Sequence, residues 1–329
     1  MKYIFGPVPS RRLGQSLGID PLPFKTCNWN CVYCQLGRTI PLINQRREYL
    51  PQEEILNELI TVLDWEQNNH INWITFVGSG EPTLHSGIGW MIRRIKEVTS
   101  IPLAVITNGS TLYLPEVREA LLPADAVMPS LDAGTPELYK RINRPHGQST
   151  FQRLVSGLES FQQEYQGKFW VEVMLIDGLN DSLEALEKIA DLLSIINPDQ
   201  IHLSQPTRPP AESWVSPPTE EGLLRAQAVL GSTAQTLHPA QGIFDLSQYK
   251  SLIDAAAGVL SRHPMREDEL LQTLEKWAPE EVKQTLEQLE EGGRAQTIQR
   301  YGVRFWGGPE ANFPDSAQSQ KTRPDSRIS

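Results

Sequence analysis

Trp73-Ile74-Thr75-Phe76-Val77 runs into Gly78-Ser79-Gly80-Glu81-Pro82-Thr83, then into the helically spaced Ile88–Thr99 and the apolar run Leu103–Ile106. The first run is β-branched and aromatic and reads as a strand, which the glycines and proline end. An amphipathic segment then separates it from a second strand, which is the pattern of a βα unit. Working outward, Ala126–Pro129, Phe169–Leu175 and Gln200–Leu203 read as further strands and Leu17–Ile19 as an earlier one. Pro51–Asn68, Thr150–Tyr165 and Ser182–Ile196 carry helical spacing, with Pro51 suited to a first turn. Six strands alternating with helices predict an α/β fold, a partial (β/α)6 barrel of TIM type.

A chain of 329 residues predicts more than one compact unit. The barrel is expected over residues 1–232, with a Pro-rich linker at Thr207–Pro218 and one more helix at Thr219–Leu230. A small winged-helix-like domain is expected over 246–306. It would consist of helices at Glu267–Leu274 and Pro279–Glu290 and a two-stranded wing at Gln296–Trp306 turning at Tyr301-Gly302. Residues 307–329 are polar and read as a disordered tail. No run approaches the roughly 18 apolar residues of a membrane span, so a soluble, cytoplasmic protein is expected. The net charge of -10 argues against a broad nucleic-acid surface, because phosphate binding draws on clustered cations. Within the small domain, Arg262 to Arg304 holds 7 Lys and Arg, against 9 Asp and Glu between Glu267 and Glu291.

All three cysteines fall in Cys27-Asn28-Trp29-Asn30-Cys31-Val32-Tyr33-Cys34. Three thiols so close cannot form a disulfide framework, which points to metal ligation in a reducing compartment. On a loop after the first strand they can supply three of the four irons of a cubane and leave the fourth open. Zinc is the alternative, yet a structural zinc takes four protein ligands and the local sequence offers no fourth.

This cysteine spacing, with Tyr33 just before the last thiol, resembles the radical S-adenosylmethionine (SAM) superfamily over roughly residues 5–210. The stretch Phe5-Gly6-Pro7-Val8-Pro9-Ser10-Arg11-Arg12-Leu13-Gly14, with Gln35-Leu36-Gly37, looks like the wyosine-tRNA-synthetase-like branch. The resemblance implies a [4Fe–4S] cluster on Cys27, Cys31 and Cys34, with S-adenosylmethionine chelated at the open iron. One electron, from a reductant such as flavodoxin or ferredoxin, would then give a 5'-deoxyadenosyl radical. It also implies that Gly78, Gly80, Glu81 and Pro82 hold the methionine amino group, although a capped βα turn uses the same residues. Asn108, Ser130 and Asp132, at two further strand ends, would line the pocket or serve as turn formers. Arg144 would pair with the methionine carboxylate or stand solvated. The segment around Ile176 would take the adenine, or its Asn180-Asp181 would cap the next helix, and Arg208 would face the barrel mouth as a substrate or cofactor contact or belong to a rigid exit linker.

Ser10-Arg11-Arg12 is expected just before the first strand, near the barrel rim with Lys25 beside the cluster loop, as a basic rim that could greet a phosphate or carboxylate or as solvated surface cations that serve solubility. His70, His85, His202 and His238 show no ligand spacing and receive no catalytic role. The branch implies modification of tRNA, with Arg294, Arg300 and Arg304 on the wing holding the nucleic acid. The chain has no cysteines to spare for a second cluster. A peptide- or protein-modifying enzyme, with the small domain as docking module, suits the acidic balance. A redox sensor with a DNA-binding winged helix is the non-enzymatic possibility, and it would need no pocket for S-adenosylmethionine.

Overall fold

The computed structural model describes residues 2–65, 71–237, 244 and 251–314. His70, His238 and the first residues of the expected small domain lie outside these. Eight strands form one sheet in sequence order: β1 (Ile4–Ser10), β2 (Gly14–Ile19), β3 (Trp73–Phe76), β4 (Leu103–Thr107), β5 (Ala126–Pro129), β6 (Lys168–Met174), β7 (Gln200–Ser204) and β8 (Ala234–Thr236). β1 and β2 make an antiparallel hairpin, and every later pairing is parallel. The expected six strands are β2 to β7, and β1 and β8 extend the sheet at its two edges. Ser10-Arg11-Arg12 therefore lies in the β1–β2 hairpin, not ahead of the first strand.

The helices are α1 (Gln52–Trp65), α2 (Ile88–Val98), α3 (Pro115–Leu121), α4 (Pro136–Ile142), α5 (Phe151–Glu164), α6 (Leu183–Ile196) and α7 (Glu220–Leu230). The short α3 and α4 are additions to the sequence reading. Strand alternation sends Ile74, Phe76, Val105, Val171 and Leu203 outward, where they join α-helical residues such as Leu59, Ile92, Leu158 and Ile189 in one core. The opposite face carries a smaller apolar cluster of Leu13, Ala104, Ala126 and Met128, with Trp73 and Trp170 beside it. Ser and Thr residues cap several helices: Thr135, Thr150, Ser182 and Thr219 each accept a backbone N–H of the first turn.

Past the barrel come α8 (Leu252–Leu260), β9 (Met265–Arg266), α9 (Glu267–Trp277), α10 (Val282–Glu291), β10 (Gln296–Arg300) and β11 (Val303–Gly307). The three strands pair antiparallel in the order β10-β11-β9, and Tyr301 and Gly302 both take positive φ at the hairpin turn. Phe5 and Val8 of β1 insert into the core of these helices beside Val259, Met265 and Trp306. The chain stays packed after β11, which corrects the expected tail beginning at 307. Phe313 is fully buried beside Ile298 and Phe24, and the Asn312 carbonyl accepts the Arg38 N–H at 2.8 Å. The remainder of that expected tail, 315–329, lies outside the described residues. No helix among the described residues is long and apolar enough to cross a membrane.

Candidate active site

The loop after β2 crosses carboxyl ends of the parallel strands and is hydrogen-bonded to the segments that follow β3, β4 and β5. Lys25 donates its backbone N–H to the Ser79 carbonyl at 2.6 Å, and Glu81 returns one to the Thr26 carbonyl at 2.9 Å. This approach requires Gly80, where a Cβ would stand 2.0 Å from the Thr26 oxygen. Gly78, at φ +147, lets Ser79 reach Asp20, whose carboxylate accepts the Ser79 N–H at 3.1 Å and its hydroxyl at 2.6 Å. Arg262, just past α8, donates to the same carboxylate at 2.7 Å.

Each of the three thiols, all free, meets a nitrogen donor. Cys27 Sγ faces the Trp29 N–H at 3.4 Å and Asn108 Nδ2 at 3.8 Å, Cys31 Sγ faces Asn143 Nδ2 at 3.7 Å, and Cys34 Sγ faces Lys25 Nζ at 3.1 Å. Burial pushes the Cys27 thiol up to about 12 and Cys31 well above its ordinary range. No group of three or more His, Cys, Asp or Glu side chains among the described residues converges as a single-ion site. A cubane takes one thiolate per corner and asks for no such convergence.

Glu81 is 2% exposed, and its carboxylate is fully engaged. It accepts the Thr83 N–H at 3.1 Å, the Thr83 hydroxyl at 2.6 Å, the Thr107 hydroxyl at 2.5 Å and the Asn108 N–H at 2.6 Å. Burial raises its carboxyl while these hydrogen bonds pull the other way. The side chain thus caps the short turn Pro82–Leu84 and ties it to β4. Asp132, 1% exposed, plays the matching part at β5. It accepts from the Tyr33 hydroxyl at 2.5 Å, Asn143 Nδ2 at 2.6 Å and the Met174 N–H at 2.8 Å, while burial raises its carboxyl. Ser130 bridges to Glu172 beside it.

Asn108 donates to Asn28 Oδ1 at 2.8 Å as well as facing Cys27. Ile176 is buried with Val32, Ile142 and Val215 under Tyr33, and its own N–H goes to Asn180 Oδ1 at 2.8 Å. Arg144, at φ +45, is ion-paired with Glu212, which also holds Arg38 by a fork at 2.7 and 2.8 Å. The carboxylate expected to come from a ligand is here supplied by the protein, from a residue 68 positions away. Arg208 donates to the Pro264 carbonyl at 2.9 Å, to Gln35 at 3.3 Å and to His263, joining the barrel mouth to the corner between α8 and β9. The sequence assigns no role in this region to Asp20, Asn28, Asn143, Glu212 or His263. Asn143 stood next to the flagged Arg144, but nothing in the sequence aims its amide at Cys31 and Asp132.

Residues 22–193 match the family model of the radical SAM superfamily. The chain belongs to that superfamily. As a radical SAM enzyme it takes a [4Fe–4S] cluster and S-adenosylmethionine as cofactors. It is 33% identical over 280 residues to a UPF0026 protein of Methanocaldococcus jannaschii, covering 84% of this chain and 87% of that one. It is 45% identical over 207 residues to a protein of Brachyspira hyodysenteriae named GTPase Obg, a match covering 63% of this chain and 30% of that protein's length. Among solved structures, a radical SAM methyltransferase from Sphaerobacter thermophilus shares the fold, with a TM-score of 0.50 at 19% identity over 67% of this chain and 65% of that one. The radical SAM residues present here suit an iron–sulfur group. Thiols that burial makes costly to ionise bare are stabilised as thiolates by bound cations, and the nitrogen donors at each sulfur add to that.

Proposed function

We propose that Cys27, Cys31 and Cys34 hold one [4Fe–4S] cluster through three of its irons, leaving the fourth for the amino and carboxylate groups of S-adenosylmethionine. The observation carrying this reading is the nitrogen donor at each sulfur, on a loop fastened across the carboxyl ends of parallel strands. When bound, the cofactors supply a 5'-deoxyadenosyl radical by one-electron cleavage of the sulfonium bond.

The protein's share is placement and electrostatics. Lys25 sets a positive charge beside Cys34, while the amides of Asn108 and Asn143 draw density from Cys27 and Cys31. With the Glu81 carboxylate occupied, the carbonyls of Gly78 and Gly80 are the acceptors left for an ammonium group, since no described residue donates to either. Tyr33, fixed by Asp132, and the buried Ile176 offer the apolar floor on which an adenine ring would rest. Ser130 remains the polar group at the end of β5 suited to a ribose.

The substrate is a macromolecule in this reading. The wyosine-like stretch at residues 5–14 supports RNA, tRNA in particular. One observation favours a peptide or protein instead: Arg294 pairs with Asp254 at 2.7 Å, and Arg304 with Glu267 at 3.2 Å and Glu290 at 3.6 Å. Two of the three wing cations are thereby answered within the protein. The order α8, β9, α9, α10, β10, β11 supports reading residues 246–306 as a winged-helix-like docking module. A flavodoxin- or ferredoxin-like reductant would complete the system.

Reduced protein, reconstituted without oxygen and given S-adenosylmethionine, is expected to release 5'-deoxyadenosine and methionine. A sensor would release neither. Cys34→Ala is expected to lose this cleavage and most of the iron while remaining folded, because Cys34, unlike Trp29, Cys27 and Cys31 of the same loop, does not pack against the barrel core. Full iron in that variant would contradict the assignment.

A further inference from the structure

The inner face of the sheet has two layers. Toward the amino ends of the strands it is closed by Leu13, Ala104, Ala126 and Met128, with Trp73 and Trp170. Above them, toward the cysteine loop, it turns polar. Because Val171, Val173 and Leu203 point to the outer core, Glu172, His202 and Ser204 point inward. Into this layer the β1–β2 hairpin sends Arg11 and Arg12. Arg12, with its side chain 11% exposed, bonds Glu172 through one nitrogen, and its buried Nε has no partner. Arg11 Nη1, His202 Nδ1 and Ser204 Oγ are likewise buried and unpartnered.

Charge in this layer is as unbalanced as its hydrogen bonds. Glu172 answers Arg12, but among the described residues no carboxylate lies within hydrogen-bond distance of Arg11 or Arg208. Arg11 sits close enough to Arg12, Arg208 and His263 for its charge to oppose protonation of all three. Buried cations without partners cost folding free energy, and a bound anion supplies what is missing.

We propose that this layer is the substrate subsite and that Arg11 and Arg12 hold an oxyanion of the substrate there, a phosphate or a carboxylate. The proposal rests on the radical SAM reading for the position of the reacting end, which would lie between this subsite and the cysteine loop. The anion orients the substrate from below, while the chemistry is delivered from above. Ser204 adds a hydroxyl donor, and His202, whose Nε2 bonds the Gln200 side-chain oxygen at 3.1 Å, adds Nδ1–H when its ring is protonated.

Calorimetric titration of the full-length protein with inorganic phosphate and, separately, with succinate, at ionic strength held constant with chloride, tests this. Saturable binding of at least one anion is expected, and whichever binds names the chemical source. Arg11→Gln removes a cation without stranding a carboxylate and is expected to weaken that binding about ten-fold or more, the loss of one charge-assisted hydrogen bond. Arg11→Lys should restore part of it. If Arg11→Gln fails to fold, Arg12→Lys carries the same comparison, since it drops the Nε donor and keeps a charge for Glu172. Absence of saturable binding by either anion, or equal affinity in wild type and the variants, would overturn the proposal. Iron and sulfide content measured on the same samples reports on the cluster separately, so the two readings can fail independently.

Discussion

The rim of the barrel and its lumen treat buried charge in opposite ways. At the rim, Asp20, Glu81 and Asp132 are all nearly inaccessible, and each has its full set of donors from neighbouring strands and loops. A few residues deeper, Arg11, Arg12 and His202 bury nitrogens that nothing in the protein meets. Satisfied groups of this kind build the scaffold, because their removal strands several partners at once. Unsatisfied ones cost stability unless something else binds, which is the mark of a site. The acid that resembles a ligand in the sequence, Glu81, belongs to the first class, and the arginines that resemble a solvated rim belong to the second.

The contrast is sharpest at Glu81. Glu81→Ala leaves two hydroxyls and two backbone N–H groups without their acceptor, and is expected to cost about 3 kcal/mol or more in urea unfolding, since each buried polar group left unpaired costs about 1 to 3 kcal/mol. A loss below about 1 kcal/mol would move Glu81 out of the scaffold.

His202 gives the next effect, through pH. Burial, with the Arg12 charge second, lowers its protonation to about 4 from the ordinary 6.5. The folded state therefore binds fewer protons than the unfolded chain between these values. Stability attached to neutral His202 is fully present above pH 6.5 and is lost as pH falls toward 4, by up to about 3 kcal/mol. His202→Gln should flatten that part of the stability profile. Phosphate, if it binds beside His202, should flatten it as well, by favouring the protonated ring.

The smallest effect is expected on the wing. Arg304 makes exposed ion pairs with Glu267 and Glu290, so Arg304→Gln should change stability by less than about 0.5 kcal/mol. A larger loss would place Arg304 with the satisfied charges of the rim.

Periodicity made the six parallel strands and their longer helices legible, because outward residues such as Ile74, Phe76, Val171 and Leu203 repeat every second position against the helices. The edge strands were hidden for local reasons. β1 carries Gly6, Pro7 and Pro9, which read as a turn, and its pairing with β2 shifts register between Phe5 and Val8. β8 is three residues long, and α3 and α4 are seven each, too short to show a period. At the site, the cysteine spacing pointed directly to iron. What the sequence could not show were partnerships between distant positions: Glu212 with Arg144 and Arg38, Asp20 with Arg262, Asn143 with Asp132 and Cys31. Each of these decides whether a flagged residue is free for a ligand, and each depends on strand ends meeting in space.

Electron paramagnetic resonance of the reduced, reconstituted protein tests the central claim most directly, using S-adenosylmethionine that carries magnetic isotopes in its amino and carboxylate groups. An iron left open by Cys27, Cys31 and Cys34 predicts hyperfine coupling from both groups to the cluster signal. A signal unchanged by saturating S-adenosylmethionine would contradict it.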